Sequence, residues 1–302
     1  MIRARLSPLP YLALVALLAL APLGCGGGAG GGVAMQTAAT GEALSFAFTP
    51  VEPMRFSVDF SSESEFHGTA YIASIRYSWS ARDWKQEGEA WTCDVTFSDI
   101  KAAMRSGSGI GMEPIEGFDQ LEGFTTRYRK DGKGFEPVLE PARDDEFMGM
   151  FRQLQAGLAP LDFKTPPSPV SVGQSWQETA NDGSLGQLRT VMQDSVTTVR
   201  YLRDETFAGR DCARLGFEGK IPLDGELTAD QGPMAGSRAR VSGKIESQGD
   251  NLYDKARGFM LSVEGKSKVI INQRELDERG KPKGAEQSLV QNLSFKIKYT
   301  GD

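Results

Sequence analysis

From about Glu42 onward, apolar residues recur at every second position, the spacing that places alternate side chains on one face of a β-strand. In Tyr71–Ala81 the odd positions Tyr71, Ala73, Ile75, Tyr77 and Trp79 are apolar, while the residues between them are mostly serine and arginine. One face of such a strand is wet and the other is buried, as in an antiparallel sheet with a single core side. The same alternation appears at Met54/Phe56/Val58/Phe60, Trp91/Cys93/Val95/Phe97 and Phe124/Thr126/Tyr128. It returns at Ala213/Leu215/Phe217, Ala239/Val241/Ile245, Phe259/Leu261/Val263 and Leu293/Phe295/Ile297/Tyr299. Turn signals stand between these runs: Lys85–Gly88, Asp131–Gly134, Asp204–Gly209 and Asp254–Gly258. The pattern predicts a mainly β chain folded as an antiparallel meander. Tyr71–Arg82 and Gln287–Tyr299 run to 12 and 13 residues, well beyond the typical strand of about five or six, so the sheet is expected to coil and wrap into a half-barrel-like shape.

One segment breaks the period-two rhythm. Between Asp144 and Leu158 the residues Phe147, Phe151, Leu154 and Leu158 fall on one helical stripe, with acidic residues at the start and Gly157 and Pro160 at the stop. This predicts a single amphipathic helix whose apolar stripe acts as a plug in the core or as a lid over it. Gly149 and Gly157, each costing about 1 kcal/mol relative to alanine in a helix, tilt that choice toward a movable lid, with Met148 and Met150 as adaptable neighbours. The Pro-rich stretch 164–169 then separates an N-terminal β segment, 42–140, from a C-terminal one, 170–302, with the helix and connector spanning 141–169. A half of about 100 residues with a one-sided sheet has little to cover its apolar face. One continuous sheet sharing the helix is therefore preferred to two domains.

Composition narrows the chemistry. The 302 residues carry 34 basic against 40 acidic side chains, a net charge of −6, so the basic field that grips phosphate backbones is missing and nucleic acid is not an expected partner. One histidine and three cysteines leave too few soft ligands for a Cys/His zinc site. No nucleophile elbow, paired metal-binding histidines or phosphate loop occurs, and His67 lies between strands as a solvated loop residue. Gly107–Gly111 lacks the spacing of a dinucleotide loop, and Asp144, Asp145 and Glu146 are explained as helix-start acids. No enzyme activity, metal or cofactor is expected.

The N-terminus carries an address. Arg3 and Arg5 precede the apolar run Tyr11–Ala21, which is too short to span a bilayer and reads as a secretion signal. The run ends at Ala21-Pro-Leu-Gly-Cys25, which resembles the processing site of bacterial lipoproteins, although Pro22 and Leu23 depart from the usual residues there. The resemblance implies removal of residues 1–24 and lipid attachment at Cys25. Residues 25–41, led by the glycine-rich Gly26–Gly32, then form a tether with a root-mean-square reach of roughly 20–24 Å. Gly26, where a retention aspartate would stand in the inner-membrane members of that group, implies the outer membrane, with the domain facing the periplasm. Loss of Arg3 and Arg5 takes the net charge to −8, so the anchor must be the lipid and not electrostatic adhesion.

Val170–Trp176, and the pairing of Leu252-Tyr-Asp254 with Gly258-Phe-Met-Leu261, resemble segments of uncharacterised envelope lipoproteins. The layout is similar to the lipid- and lipoprotein-carrier half-barrels of the bacterial envelope, in which a coiled sheet wraps helices around an apolar cavity. That likeness implies a non-enzymatic carrier of a lipid or other apolar ligand. The alternative is a structural or protein-interaction lipoprotein with a filled core and a protein partner that the sequence does not specify. Cys93 and Cys212 form a candidate disulfide for an oxidising compartment, although Cys212 is out of phase with Ala213, Leu215 and Phe217, so that a bridge needs a bulge.

Overall fold

The computed structural model describes residues 43–301, apart from residues 45, 67, 108, 133, 140, 163–165, 167, 181–183, 186–187, 190–194, 229–237 and 278. The signal segment, the tether, Cys25 and His67 lie outside the described residues.

The N-terminal segment supplies β1 (Met54–Phe66), β2 (Thr69–Glu87), β3 (Ala90–Ser106), the short β4 (Glu113–Pro114), β5 (Thr125–Asp131) and β6 (Gly134–Pro137). Helix α1 (Asp145–Gln155) follows and ends in a 3-10 turn, Ala156–Leu158. The C-terminal segment supplies β7 (Ser175–Ala180), β8 (Ser184–Leu185), β9 (Leu188–Arg189), β10 (Ser195–Phe207), β11 (Arg210–Thr228), β12 (Arg238–Asp254), β13 (Phe259–Leu276) and β14 (Pro282–Tyr299).

Twelve strands form one antiparallel sheet that curves without closing, in the order β6-β5-β3-β2-β1-β14-β13-β12-β11-β10-β7, with β4 attached to β3. The two segments meet where β1 pairs with β14, with Val58 opposite Ile297 and Phe60 opposite Phe295. The stretch between β6 and β7 is therefore a crossover within a single sheet. The wrapping gathers the apolar faces of both segments into one continuous core. β8 and β9 pair only with each other and lie against β11.

The connections sort to two ends. At the lower end are the β2–β3, β5–β6, β10–β11 and β12–β13 turns; at the upper end are the β1–β2, β11–β12 and β13–β14 connections. Residues 43–44 and 46–50 strap the lower end: Leu44 bridges to Val170, Phe46 packs on Trp176 and Tyr253, and Phe48 packs on Trp84 and Trp91.

Helix α1 begins as its sequence prescribes. Asp144 sits at the N-cap in an extended conformation, and its carboxylate accepts a 2.9 Å hydrogen bond from the Phe147 backbone N–H. Its stripe packs into the core, with Phe151 against Phe97 and Phe124, and Phe147 also against Phe124.

Candidate functional site

Cross-strand register turns the inner face into rows of side chains. A low row reads Tyr201, Leu215, Asn251, Val263, Ile297, Val58 and Tyr77. The next row up reads Trp176, Val199, Phe217, Gly249, Gly265, Phe295, Phe60 and Ile75. The low rows are filled by α1. Tyr77 donates its hydroxyl to the Leu154 carbonyl at 2.5 Å, and the Trp79 indole N–H donates to the Gly157 carbonyl at 2.9 Å. Both bonds reach backbone oxygens at the helix C-terminus, where the regular i to i−4 ladder runs out; the Leu154 carbonyl also accepts from the Ala156 N–H. A Cβ at Gly157 would lie 2.1 Å from the Tyr77 hydroxyl and 2.9 Å from a Val58 methyl, so this glycine allows close docking of the helix end. Gly149 has open space beside it. Burial pushes the Tyr77 phenol well above its usual range, so the hydroxyl stays a neutral donor.

Above α1 the aromatic rings of Phe60, Phe295 and Phe217 form a belt, with centroids 6.4 Å and 6.3 Å apart in succession. The Phe295 and Phe217 rings lie over Gly249 and Gly265: a Cβ on Gly265 would sit 2.5 Å from Phe295 and 2.8 Å from Phe217. The glycine pair thus lets two rings from non-adjacent strands stack across it.

Beyond the belt the lining changes. The next row reads Thr197, Gly219, Ser247, Ser267, Leu293, Ser62 and Ala73, and the one after it Ile221, Ile245, Val269, Gln291, Ser64 and Tyr71. Aliphatic side chains, small residues and single hydroxyls replace most of the phenyl and indole rings. Ser247 and Ser267 share a 2.8 Å hydrogen bond, and Ser62, Ser64 and Ser267 are all buried. Gln291 is 0% exposed, yet neither of its amide atoms has a hydrogen-bond partner. The Oδ1 of Asn251 and the Oε1 of Gln153 on α1 are likewise buried without partners. Burying an amide without compensation is costly, so this interior holds hydrogen-bonding capacity that the described residues leave unused.

Two further depressions differ in character. A trough of about 800 Å³ opens on the outer face of β10–β13, walled by Thr198, Arg200, Glu218, Gln248 and Lys266, with charges of both signs. A smaller space of about 180 Å³ sits at the lower end among Phe46, Phe48, Trp91, Tyr253, Glu89 and Lys130. Burial lowers the Lys130 ammonium from its ordinary value. Among the described residues no group of three or more His, Cys, Asp or Glu is arranged to hold a metal, and no helix is long and apolar enough to cross a membrane.

The candidate disulfide is corrected by the structure, in which Cys93 and Cys212 are free, buried thiols. Cys93 lies on β3 and Cys212 on β11, with five strands between them in the sheet. Cys212 has the opposite parity to the inner-facing Ala213 and is buried all the same, its thiol donating to the Arg210 carbonyl at 3.6 Å. Burial raises both thiols, Cys212 to about 11 and Cys93 further, which keeps them protonated and poorly nucleophilic. Of the other sequence-derived site residues, Phe147, Phe151, Leu154 and Leu158 meet in the core under the aromatic belt. The rows above it were read only in part: the apolar alternation marks Tyr71, Ala73, Ile245 and Leu293, and sequence reasoning passed over Ser62, Ser64, Ser247, Ser267 and Gln291. Their signal in β12 and β13 was the inward Gly243, Ser247 and Gly249, with Ile245 among them, and the inward Gly265 and Ser267.

An open, curved antiparallel sheet of twelve strands plugged by one helix defines the class. Within that class the chain is similar to lipovitellin, in a structure describing that protein's lipid–protein interactions. The TM-score is 0.50 at 13% identity, over 84% of this chain and 26% of lipovitellin, so the chain spans about a quarter of that protein's length. A protein of the DUF1329 family from Desulfovibrio piger aligns at 8% identity over 96% of this chain and 93% of its own, with a TM-score of 0.16. The β domain of the Bordetella autotransporter BrkA aligns at 10% identity over 82% and 99%, with a TM-score of 0.22. No protein-family model matches the chain, and no curated protein sequence matches it.

Proposed function

We propose that the chain is a non-enzymatic lipoprotein of the bacterial cell envelope whose curved sheet carries a lipid or similar apolar molecule on the upper inner face. The observation that carries this reading is the change of lining along that face. Below the aromatic belt, α1 and large rings fill the interior. Above it, the rings give way to the aliphatic Leu293, Ile221, Ile245 and Val269, interspersed with the small Ser62, Ser64, Ser267, Gly219 and Ala73, all of them buried. An apolar ligand site needs such a sheltered surface with a few polar groups to orient its occupant. The fold shared with lipovitellin, a protein described for its interactions with lipid, supports the same reading.

In this proposal Cys25 bears the acyl chains and the protein faces the periplasm from the outer membrane. A single chain anchors only marginally, so stable retention implies two or more. Cys25→Ser is expected to move the protein to the soluble fraction or leave an unprocessed precursor; mature protein that stays in the membrane would overturn the anchor. Native mass spectrometry of the full chain carrying Cys25→Ser, purified without detergent, tests the ligand. A bound species of several hundred daltons is the expected result. The competing reading is a structural or interaction lipoprotein with a filled core, which the low exposure of the upper rows favours. It predicts the bare polypeptide mass.

A further inference from the structure

We infer that Gln291 recognises an uncharged polar group on the bound apolar molecule, the ester carbonyl and hydroxyl of a glyceride being the chemistry that fits. The inference rests on the apolar-ligand reading above. Gln291 stands on β14 with the inward parity of Leu289, Leu293, Phe295 and Ile297, and it is fully buried. Both its Nε2 and its Oε1 lack partners. A leucine would occupy similar space without burying an unpaired donor and acceptor, so a polar side chain here points to a partner that the described residues do not supply.

The surroundings define that partner. Ser64 is directly opposite on β1, Ser62 and Ser267 are the diagonal neighbours, and Tyr71 lies one strand beyond Ser64. The charged residues beside these positions on β1 and β13, Glu63, Glu65, Lys266 and Lys268, have the outward parity and are exposed. A phosphate or carboxylate brought to Gln291 would be desolvated without a counter-charge, which is strongly unfavourable. A neutral group meets no such penalty. The carboxamide donates from Nε2 to a carbonyl and accepts at Oε1 from a hydroxyl, and the serines add hydroxyls that can turn either way. The apolar side chains Val269, Ile245 and Ile221 continue the same row away from Gln291, a surface suited to an acyl chain.

The test offers the full chain carrying Cys25→Ser an equimolar mixture of dioleoylglycerol, dioleoylphosphatidylglycerol and the hydrocarbon squalane, and reads occupancy by native mass spectrometry. The expected result is preference for dioleoylglycerol over both others. Gln291→Leu should reduce the dioleoylglycerol-to-squalane ratio about three- to tenfold, the contribution of one or two hydrogen bonds, while total occupancy stays similar. Ser64→Ala, a smaller change that decides the matter if Gln291→Leu does not fold, should reduce the ratio by less. An unchanged ratio in the folded variants, or preference for phosphatidylglycerol in the parent, overturns the role of Gln291. A parent protein that binds none of the three overturns the apolar-ligand reading itself.

Discussion

The inner face of the sheet is built in two ways along its length. In the low rows most strands bring a large side chain, and the gap between sheet and helix is closed by rings: Phe56 stacks on Trp79 at 4.3 Å, and Phe151 packs edge-on against Phe97 and Phe124. Even the helix backbone is bonded to the sheet, through Tyr77 and Trp79. Two rows above Val58 and Tyr77, the strands bring Ser62, Ser247, Ser267, Gly219 and Ala73 beside Leu293, and one row further up the buried Gln291 amide has no partner among the described residues, as Asn251 Oδ1 and Gln153 Oε1 have none lower down. Dense apolar packing stabilises the fold, whereas buried amides and hydroxyls weaken it unless something else pairs with them. The difference makes the lower end the larger contributor to stability, and it is the upper end that the proposed ligand would touch.

That division is first tested where the effect is largest. Phe151→Ala removes a ring that is 1% exposed and is expected to cost about 3–5 kcal/mol in chemical denaturation, as for other buried phenylalanines. A loss below about 1 kcal/mol would show that α1 is a loosely held lid. Gly157→Ala is the sharper version, because its Cβ would collide with the Tyr77 hydroxyl. Overpacking of this kind costs about 1–3 kcal/mol, and Gly157→Ala should therefore destabilise even though alanine is the better helix former. Gly149→Ala, with open space at its Cβ, should be neutral or slightly stabilising.

The upper end should respond differently. Ser267→Ala deletes the hydrogen bond to Ser247 and little packing, so a change of about 0.5–1.5 kcal/mol is expected. A loss as large as that of Phe151→Ala would erase the contrast between the ends.

The same contrast explains what was legible in the chain. Strand positions were readable wherever the inward residues are large, as in Met54–Phe60, Tyr71–Ala81 and Leu293–Tyr299, and the helix was readable from its stripe and acidic cap. The strands run further than the alternation does. β1 continues to Phe66 through inward Ser62 and Ser64, and in β13 the apolar alternation breaks at inward Gly265 and Ser267 before it resumes at Val269 and Ile271. β10 was not anticipated, because Thr197 interrupts its inward Val199 and Tyr201. The glycine at 157 looked like a weak point in a helix, and the reason for it is a contact 80 residues away in sequence that no local pattern encodes. Candidate ligand contacts were hidden for a related reason. A hydrophobic period marks where a chain packs against itself, and a ligand surface departs from it.

The smallest expected effect concerns acid, and it again falls on the lower end. There Asp204 is bonded by Lys255 and by the Tyr201 hydroxyl, and Glu205 takes two hydrogen bonds from Arg214 at 2.7 and 2.6 Å. These partners hold both carboxyls below the ordinary carboxylate range. A carboxyl with a lower pKa in the folded state than in the unfolded one adds stability that is fully present above the unfolded value, near 4, and is lost as pH falls through the folded value. Asp204 is half exposed and Glu205 partly so, so solvent screening keeps each contribution under about 1 kcal/mol. Below about pH 4 the amides of the β10–β11 turn should therefore exchange with deuterium faster, relative to those of the β13–β14 turn, than they do at pH 7. Glu205→Gln should remove part of that pH dependence while weakening the turn slightly at neutral pH. Equal acceleration at both ends would mean that these two carboxyls do not set the acid response, and that the lower end owes its firmness to packing alone.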